Sequence, residues 1–184
     1  ARSTPIIGDM PINSYNTSED CLRNAKKFVE SGAHGVKIEG KKTECIRTLI
    51  GKEIPVMGHV GMLPQMAEAY HVKGKKPEEA QQILQDAEEL DKLGVFSIVL
   101  ECIPESLAKT ITETVDAPTI GIGAGKHCDG QVLVINDILG YDENFKPKYV
   151  KTYADLNKTI KVAVTKFMQE VNAGTYPDEE HTYH

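Results

Sequence analysis

The chain has 184 residues and a mass of 20.3 kDa, with 40% hydrophobic and 26% charged residues. That size suits one domain over residues 1–184, and the composition excludes wholesale disorder. Twenty-seven acidic side chains against 21 basic ones give a net charge of −6, which argues against a nucleic-acid partner or an anionic membrane surface.

The protein is expected to be cytoplasmic, because the sequence shows no targeting signal and its cysteine spacing does not suggest disulfides. The sequence contains no apolar run near the ~18 residues that span a bilayer, and its first residues lack a signal-peptide core. The cysteines are far apart, with no C-x-x-C pair, so neither a zinc ribbon nor a disulfide scaffold is expected. They are predicted to be reduced thiols: Cys21, Cys45, Cys102 and Cys128.

Short apolar runs alternate with amphipathic segments along the first third of the chain. The runs at 5–10, 35–39 and 54–59 are bounded by turn residues and are typical of buried parallel strands. Thr17 begins a capping sequence with acidic residues behind it, which predicts a helix that starts there. A second helix is predicted over 43–50.

The alternation continues after a longer loop at 61–76. Pro77 opens the clearest helix of the chain, and the following strand, 95–100, ends at Glu101. A helix is predicted over 104–114 and a strand over 118–122.

The last part of the chain is predicted to hold one more strand and one more helix. A glycine turn at 123–125 precedes a strand at 132–135. The final helix carries an apolar stripe made of Leu156, Ile160, Ala163, Val164, Phe167 and Val171.

Six β/α units of this kind predict a parallel sheet covered by helices. A doubly wound open sheet closes comfortably with six strands, whereas a (β/α)₈ barrel needs eight strands and about 250 residues. The strand count therefore favours the open sheet. The positions of the polar residues favour the barrel, because functional side chains follow strand after strand, as on the top face of such barrels.

These side chains are Asp9, Lys37, Glu39, His59 and Glu101. Lys37 and Glu39 are two residues apart, so a strand directs both to one side, where they form an ion pair or meet a ligand. Asp9 and Glu39 offer two carboxylates, a set that suits Mg²⁺ because this ion keeps waters and takes further ligands from a substrate. Glu101, at the end of the most apolar strand, is a candidate general base.

Six motifs, in this order, resemble those of the ketopantoate hydroxymethyltransferase family over essentially the whole chain. They are GDMP (8–11), VKIEG (36–40), GHVGMLPQ (58–65), LECIP (100–104), IGIGAG (120–125) and DGQVLV (129–134). The resemblance implies a (β/α)₈ barrel of the phosphoenolpyruvate/pyruvate type that forms a homodecamer.

The resemblance also implies roles for individual residues. Asp9 and Glu39 would serve a Mg²⁺ site, Asp9 and Lys37 would bind the oxoacid, and Glu101 would be the proton acceptor. His59 belongs to a motif near the site and would have an auxiliary role. The implied reaction transfers a hydroxymethyl group from 5,10-methylenetetrahydrofolate to 3-methyl-2-oxobutanoate through a Mg²⁺-stabilised enolate.

One departure from the family pattern concerns the beginning of the barrel. The family has two further β/α units there, with an Asp-Ser pair that supplies a metal ligand and oxoacid contacts. This chain is expected to hold strands 3–8 of the barrel, and residues 1–184 alone are expected to be inactive. Two rival interpretations stay open: a Mg²⁺-dependent lyase or mutase of the same barrel type, and an inactive fragment of the enzyme.

Overall fold

The structure, a computed structural model, describes residues 4–67, 69–142 and 147–184. The chain folds as two compact units, Ala1–Val132 and Leu133–His184. The expectation that residues 1–184 form one domain stays a prediction.

The first unit alternates strands and helices. Its strands are β1 (Ile7–Asp9), β2 (Gly35–Lys37), β3 (Val56–Gly61), β4 (Ser97–Glu101), β5 (Thr119–Ile122) and β6 (Gly130–Gln131). Its helices are α1 (Ser18–Glu30), α2 (Thr43–Ile50), α3 (Pro77–Lys92) and α4 (Glu105–Thr114), with a 3₁₀ turn at Pro64–Met66. The second unit contains α5 (Ile135–Leu139), α6 (Leu156–Ala173) and a 3₁₀ turn at Glu179–His181.

The six strands form one parallel sheet in the order β1-β2-β3-β4-β5-β6. Every connection therefore moves one strand further in the same direction. Because crossovers between parallel strands are right-handed, such an order places the helices on a single face of the sheet. A doubly wound sheet would instead reverse its strand order part-way. The sheet is thus a half-barrel with outer helices, which confirms the barrel prediction over the open sheet.

Local sequence signals set the beginnings of the helices. The Thr17 hydroxyl oxygen accepts a hydrogen bond from the backbone N–H of Asp20 at 3.1 Å, so the capping prediction for α1 is confirmed. Pro77 is the first residue of α3, where its missing N–H leaves no helical hydrogen bond unmade.

The core is aliphatic and lies between the sheet and its helices. Every residue of β4 is buried, so this strand is the centre of the packed layer. Fully buried aliphatic side chains also come from β2 and from α2, α3 and α4, among them Val36, Ile46, Leu49, Leu90 and Ile111.

The predicted strand at 132–135 is wrong. The last strand is β6, Gly130–Gln131, and α5 begins at Ile135. Four apolar residues are too few to distinguish a strand from the approach to a helix. Asn136 and Asp137 supply a polar first turn, and the Asp137 N–H donates to the Val134 carbonyl at 3.0 Å, which closes that turn. The predicted final helix is confirmed as α6.

Across the three described ranges, none of the helices combines the length and the hydropathy that a membrane crossing would require.

Candidate active site

The predicted functional side chains meet at one edge of the half-barrel, where the parallel strands end. Asp9, Lys37 and Glu101 are the last residues of β1, β2 and β4. His59 lies in β3, and Glu39 follows β2 by two residues. The strand register aligns Asp9 directly with Lys37.

Asp9 and Lys37 form an ion pair between the neighbouring strands. The Lys37 Nζ atom is 2.8 Å from Asp9 Oδ2. The Lys37 side chain is only 18% exposed, whereas that of Asp9 is 53% exposed. Lys37 therefore forms its ion pair with Asp9. The ion pair between Lys37 and Glu39, which their two-residue spacing allowed, is not the one that forms.

Glu39 is almost completely buried, at 2% exposure. One of its carboxylate oxygens, Oε2, accepts a hydrogen bond from the backbone N–H of Gln65 at 3.2 Å. Burial raises the pKa of Glu39 above its ordinary value, because the charged form loses water; the neighbouring His59 and the bond from Gln65 partly offset this. The Gln65 side chain is fixed in turn, since its Nε2 donates to the Met10 carbonyl at 3.2 Å.

Buried polar atoms without a hydrogen-bond partner among the described residues gather around Glu39. Four of the five such atoms belong to Tyr15, His59 and Gln65: the Tyr15 hydroxyl, both ring nitrogens of His59, and Gln65 Oε1; the fifth, Asn157 Oδ1, belongs to the second unit. The pKa of Tyr15 is raised by burial and then by the nearby negative charge of Glu39, which places the phenol in the same cluster. Such atoms are rare in folded proteins and usually mark bound water, an ion or a ligand.

Glu101 is 5% exposed and lies between two side chains. The Tyr70 hydroxyl donates a hydrogen bond to Glu101 Oε1. His59 Nε2 lies 3.3 Å from Glu101 Oε2 without the geometry of a hydrogen bond, and His59 itself is fully buried. The carboxylate is thus held at a defined place at the end of β4, as a base requires.

The backbone around Glu101 is tightly constrained. Cys102 has a φ of 48°, a left-handed conformation that side chains other than glycine rarely adopt. Across the ladder, Gly61 has a φ of 94°, and a Cβ there would overlap the Glu101 carbonyl oxygen and lie 2.8 Å from Ile103 Cγ2. Burial, followed by the charge of Glu101, raises the pKa of the Cys102 thiol to about 11, so this thiol is not a nucleophile at neutral pH.

The glycine turn at 123–125 contributes packing to this part of the fold. Gly125 has a φ of 80°, and a Cβ there would lie 2.5 Å from Cγ of Glu105. Glycine is therefore favoured at position 125 by its positive φ and by the side chain of Glu105, the first residue of α4, which passes close to it.

The donor set fits a hard cation such as Mg²⁺. Within the described ranges, His, Cys, Asp and Glu side chains form no group of three or more that could hold a metal. Mg²⁺ needs only one or two protein carboxylates, since waters and substrate oxygens complete its shell. Asp9 and Glu39 could supply these carboxylates, and waters of the ion could bond to the unpaired atoms around Glu39.

Three residues of the site were not predicted from the sequence: Tyr15, Gln65 and Tyr70. Gln65 belongs to the GHVGMLPQ motif, so its position in a motif was a usable signal. Tyr70 lies in the longest loop that follows a strand end, which is where barrel enzymes carry functional residues. For Tyr15 the sequence holds no comparable signal.

Comparison with solved structures supports the fold. A structure from Burkholderia cenocepacia that is described as a phosphonomutase aligns with 94% of this chain and 70% of its own chain, with a TM-score of 0.54 at 10% identity. Orotidine 5′-monophosphate decarboxylase from Methanocaldococcus jannaschii matches 77% of this chain and 67% of its own, with a TM-score of 0.53 at 18% identity. Together with the strand order, this likeness places the chain in the class of β/α-barrel proteins.

The particular family follows from the sequence comparison. The family model for ketopantoate hydroxymethyltransferase matches residues 1–179. The 3-methyl-2-oxobutanoate hydroxymethyltransferases of Clostridium botulinum (strain Langeland) and Heliobacterium modesticaldum are 46% and 47% identical to the chain. The alignments cover 97% and 100% of this chain, and 67% and 69% of the relatives. The chain belongs to the ketopantoate hydroxymethyltransferase family, which confirms the resemblance.

Proposed function

We propose that this protein transfers a hydroxymethyl group to 3-methyl-2-oxobutanoate and forms ketopantoate, with 5,10-methylenetetrahydrofolate as the donor. The observation that carries the proposal is the buried Glu101 carboxylate at the end of β4, held between Tyr70 and His59. Family membership supports this reaction over a lyase or mutase of the same barrel type.

The chain's own residues divide the work of the first step. Lys37, at the end of β2, binds the carboxylate of the oxoacid and holds its C3 towards β4. Glu101 removes the C3 proton, because its neighbours Tyr70 and His59 fix the position of its carboxylate. Mg²⁺ bound by Asp9 and Glu39 would supply positive charge that stabilises the developing negative charge on the oxoacid.

We also propose that the protein forms a homo-oligomer, a decamer as the family resemblance implies, in the cytoplasm. The four free thiols support a reducing compartment. Sedimentation of the full-length protein tests the assembly: a particle far heavier than a dimer is expected, and a monomer would contradict it.

Exchange of the C3 proton of 3-methyl-2-oxobutanoate with deuterated water tests the role of Glu101. Glu101→Gln in the full-length protein should slow exchange and turnover ~10²–10⁴-fold, the usual worth of a general base, while the oxoacid still binds. Glu30→Gln, on the exposed end of α1, is the matched control and should leave both rates unchanged. Exchange at the normal rate in Glu101→Gln would show that another group takes the proton.

Dependence on folate separates the rivals. Product should form from the oxoacid only when 5,10-methylenetetrahydrofolate is present. A lyase or mutase would turn over its substrate without folate, and an inactive fragment would show neither exchange nor transfer.

A further inference from the structure

The loop between β3 and α3 is hydrogen-bonded near both ends to the backbone at Glu101 and Cys102. At its start, the Met62 N–H donates to the Glu101 carbonyl at 2.9 Å. Near its end, the Lys73 N–H donates to the Cys102 carbonyl, also at 2.9 Å. The loop is therefore bonded at its start to Glu101 and near its end to the adjacent residue, Cys102.

Tyr70 lies inside this loop and reaches back to the carboxylate itself. Its hydroxyl donates to Glu101 Oε1, 31 residues away in sequence, while its side chain stays 41% exposed. A tyrosine in so open a place adds little to the core. Its hydroxyl is bonded to the residue that the proposed function makes the base.

We propose that Tyr70 is a positioning residue for the proton transfer, acting through Glu101. The phenol O–H occupies one oxygen of the carboxylate and so selects a single orientation of a side chain with three rotatable bonds. This inference rests on the proposed function, since it gives Tyr70 a role only if Glu101 is the base.

A purely structural role for Tyr70 would have a different signature. It would weaken folding or substrate binding and leave the chemical step alone. A positioning role should lower kcat and the rate of C3 exchange together, with little change in KM for the oxoacid. It should also vanish when Glu101 no longer acts as the base, because residues that act as one unit are not additive.

The experiment compares Tyr70→Phe, Glu101→Gln and the double variant in the full-length protein, with Tyr183→Phe at a fully exposed tyrosine as the control. We expect Tyr70→Phe to lower kcat and C3 exchange about tenfold to hundredfold, the effect of losing one hydrogen bond to a charged group, with KM changed less than about twofold. In the Glu101→Gln background the same change should have no further effect. Tyr183→Phe should match the wild type.

Backbone amide exchange over residues 69–72 gives a reading that does not need turnover. It should accelerate in Tyr70→Phe, because the loop loses its bond to the carboxylate. Normal kcat in Tyr70→Phe, an equal loss in the Glu101→Gln background, or unchanged amide exchange would each overturn the inference. A wild-type protein without C3 exchange would instead overturn the proposed function, and the amide exchange would still decide whether Tyr70 is bound to Glu101.

Discussion

Gly61 offers a sharp test of how the fold holds Glu101, the proposed base. It is the last residue of β3, it pairs in register with Glu101, and its φ is 94°. An added Cβ would lie 2.8 Å from Ile103 Cγ2 and 3.3 Å from the carbonyl carbon of Glu101, and closer still to the carbonyl oxygen. The backbone cannot move aside easily, because the next N–H, that of Met62, bonds to that same oxygen at 2.9 Å.

The expected cost of Gly61→Ala has two parts that a control separates. Gly94 has a similar φ of 87°, but a Cβ there meets nothing within 4 Å. Gly94→Ala should therefore lower the free energy of unfolding only by the conformational cost, about 1 kcal/mol. Gly61→Ala should add an overpacking cost of about 1–3 kcal/mol, giving a total of about 2–4 kcal/mol.

Urea unfolding of the two variants measures these free energies, and C3 deuterium exchange measures the effect on the site. Because Gly61→Ala must displace Glu101, exchange should fall on the order of 10²-fold, as expected for a displacement near 1 Å. Gly94→Ala should leave exchange unchanged. If Gly61→Ala proved no less stable than Gly94→Ala and exchanged at the wild-type rate, the close approach of β3 to Glu101 would not constrain the base.

Two further predictions concern the metal and acid stability. Asp9→Asn should weaken Mg²⁺ binding, measured by calorimetric titration, more than Glu39→Gln does. In the proposed site Asp9 is a direct ligand of the ion, whereas Glu39 contacts it through a water. Equal, small effects on the Mg²⁺ affinity would show that Asp9 is not a direct ligand. Asp129 Oδ2 accepts hydrogen bonds from the backbone N–H and the hydroxyl of Thr119, and these bonds lower its pKa below the ordinary 3.8. The stabilisation is therefore fully present above pH 3.8 and is lost as the pH falls through the lowered pKa. Asp129→Ala should cost about 1 kcal/mol at pH 7, and the difference should shrink as the pH falls below 3.8. A difference that stayed constant with pH would contradict this.

Much of the fold could be predicted because its signals are local. Thr17 and Pro77 mark helix starts through groups within three residues of each other, and turn residues bound the apolar strands. The strand count alone misled, because it favours an open sheet, whereas these six strands form half of a barrel. Only the order of pairing, a long-range property, separates a half-barrel from a doubly wound sheet.

The candidate site was predictable as a set of residues and not as a set of contacts. Position at the ends of parallel strands indicated Asp9, Lys37 and Glu101, because that edge collects functional groups in barrels. Their partners depend on tertiary packing: Lys37 pairs across the ladder, and Tyr70 reaches Glu101 across 31 residues. No period or spacing in the sequence encodes such a contact.

The two carboxylates proposed for the metal site differ in a way that shapes when the site is stable. Asp9 is half exposed, and its carboxylate forms an ion pair with Lys37. Glu39 is buried, its pKa is raised by lost hydration, and the polar atoms around it have no partner within the described part of the chain. A buried carboxylate beside unpaired polar atoms lowers the stability of the fold. A cation bound there would neutralise the carboxylate, and its waters would bond to the unpaired atoms. The site is therefore preorganised at a cost to the free energy of folding, and binding of the cation would recover that cost. This arrangement would favour the cation-bound protein over the cation-free protein more strongly than two exposed carboxylates could.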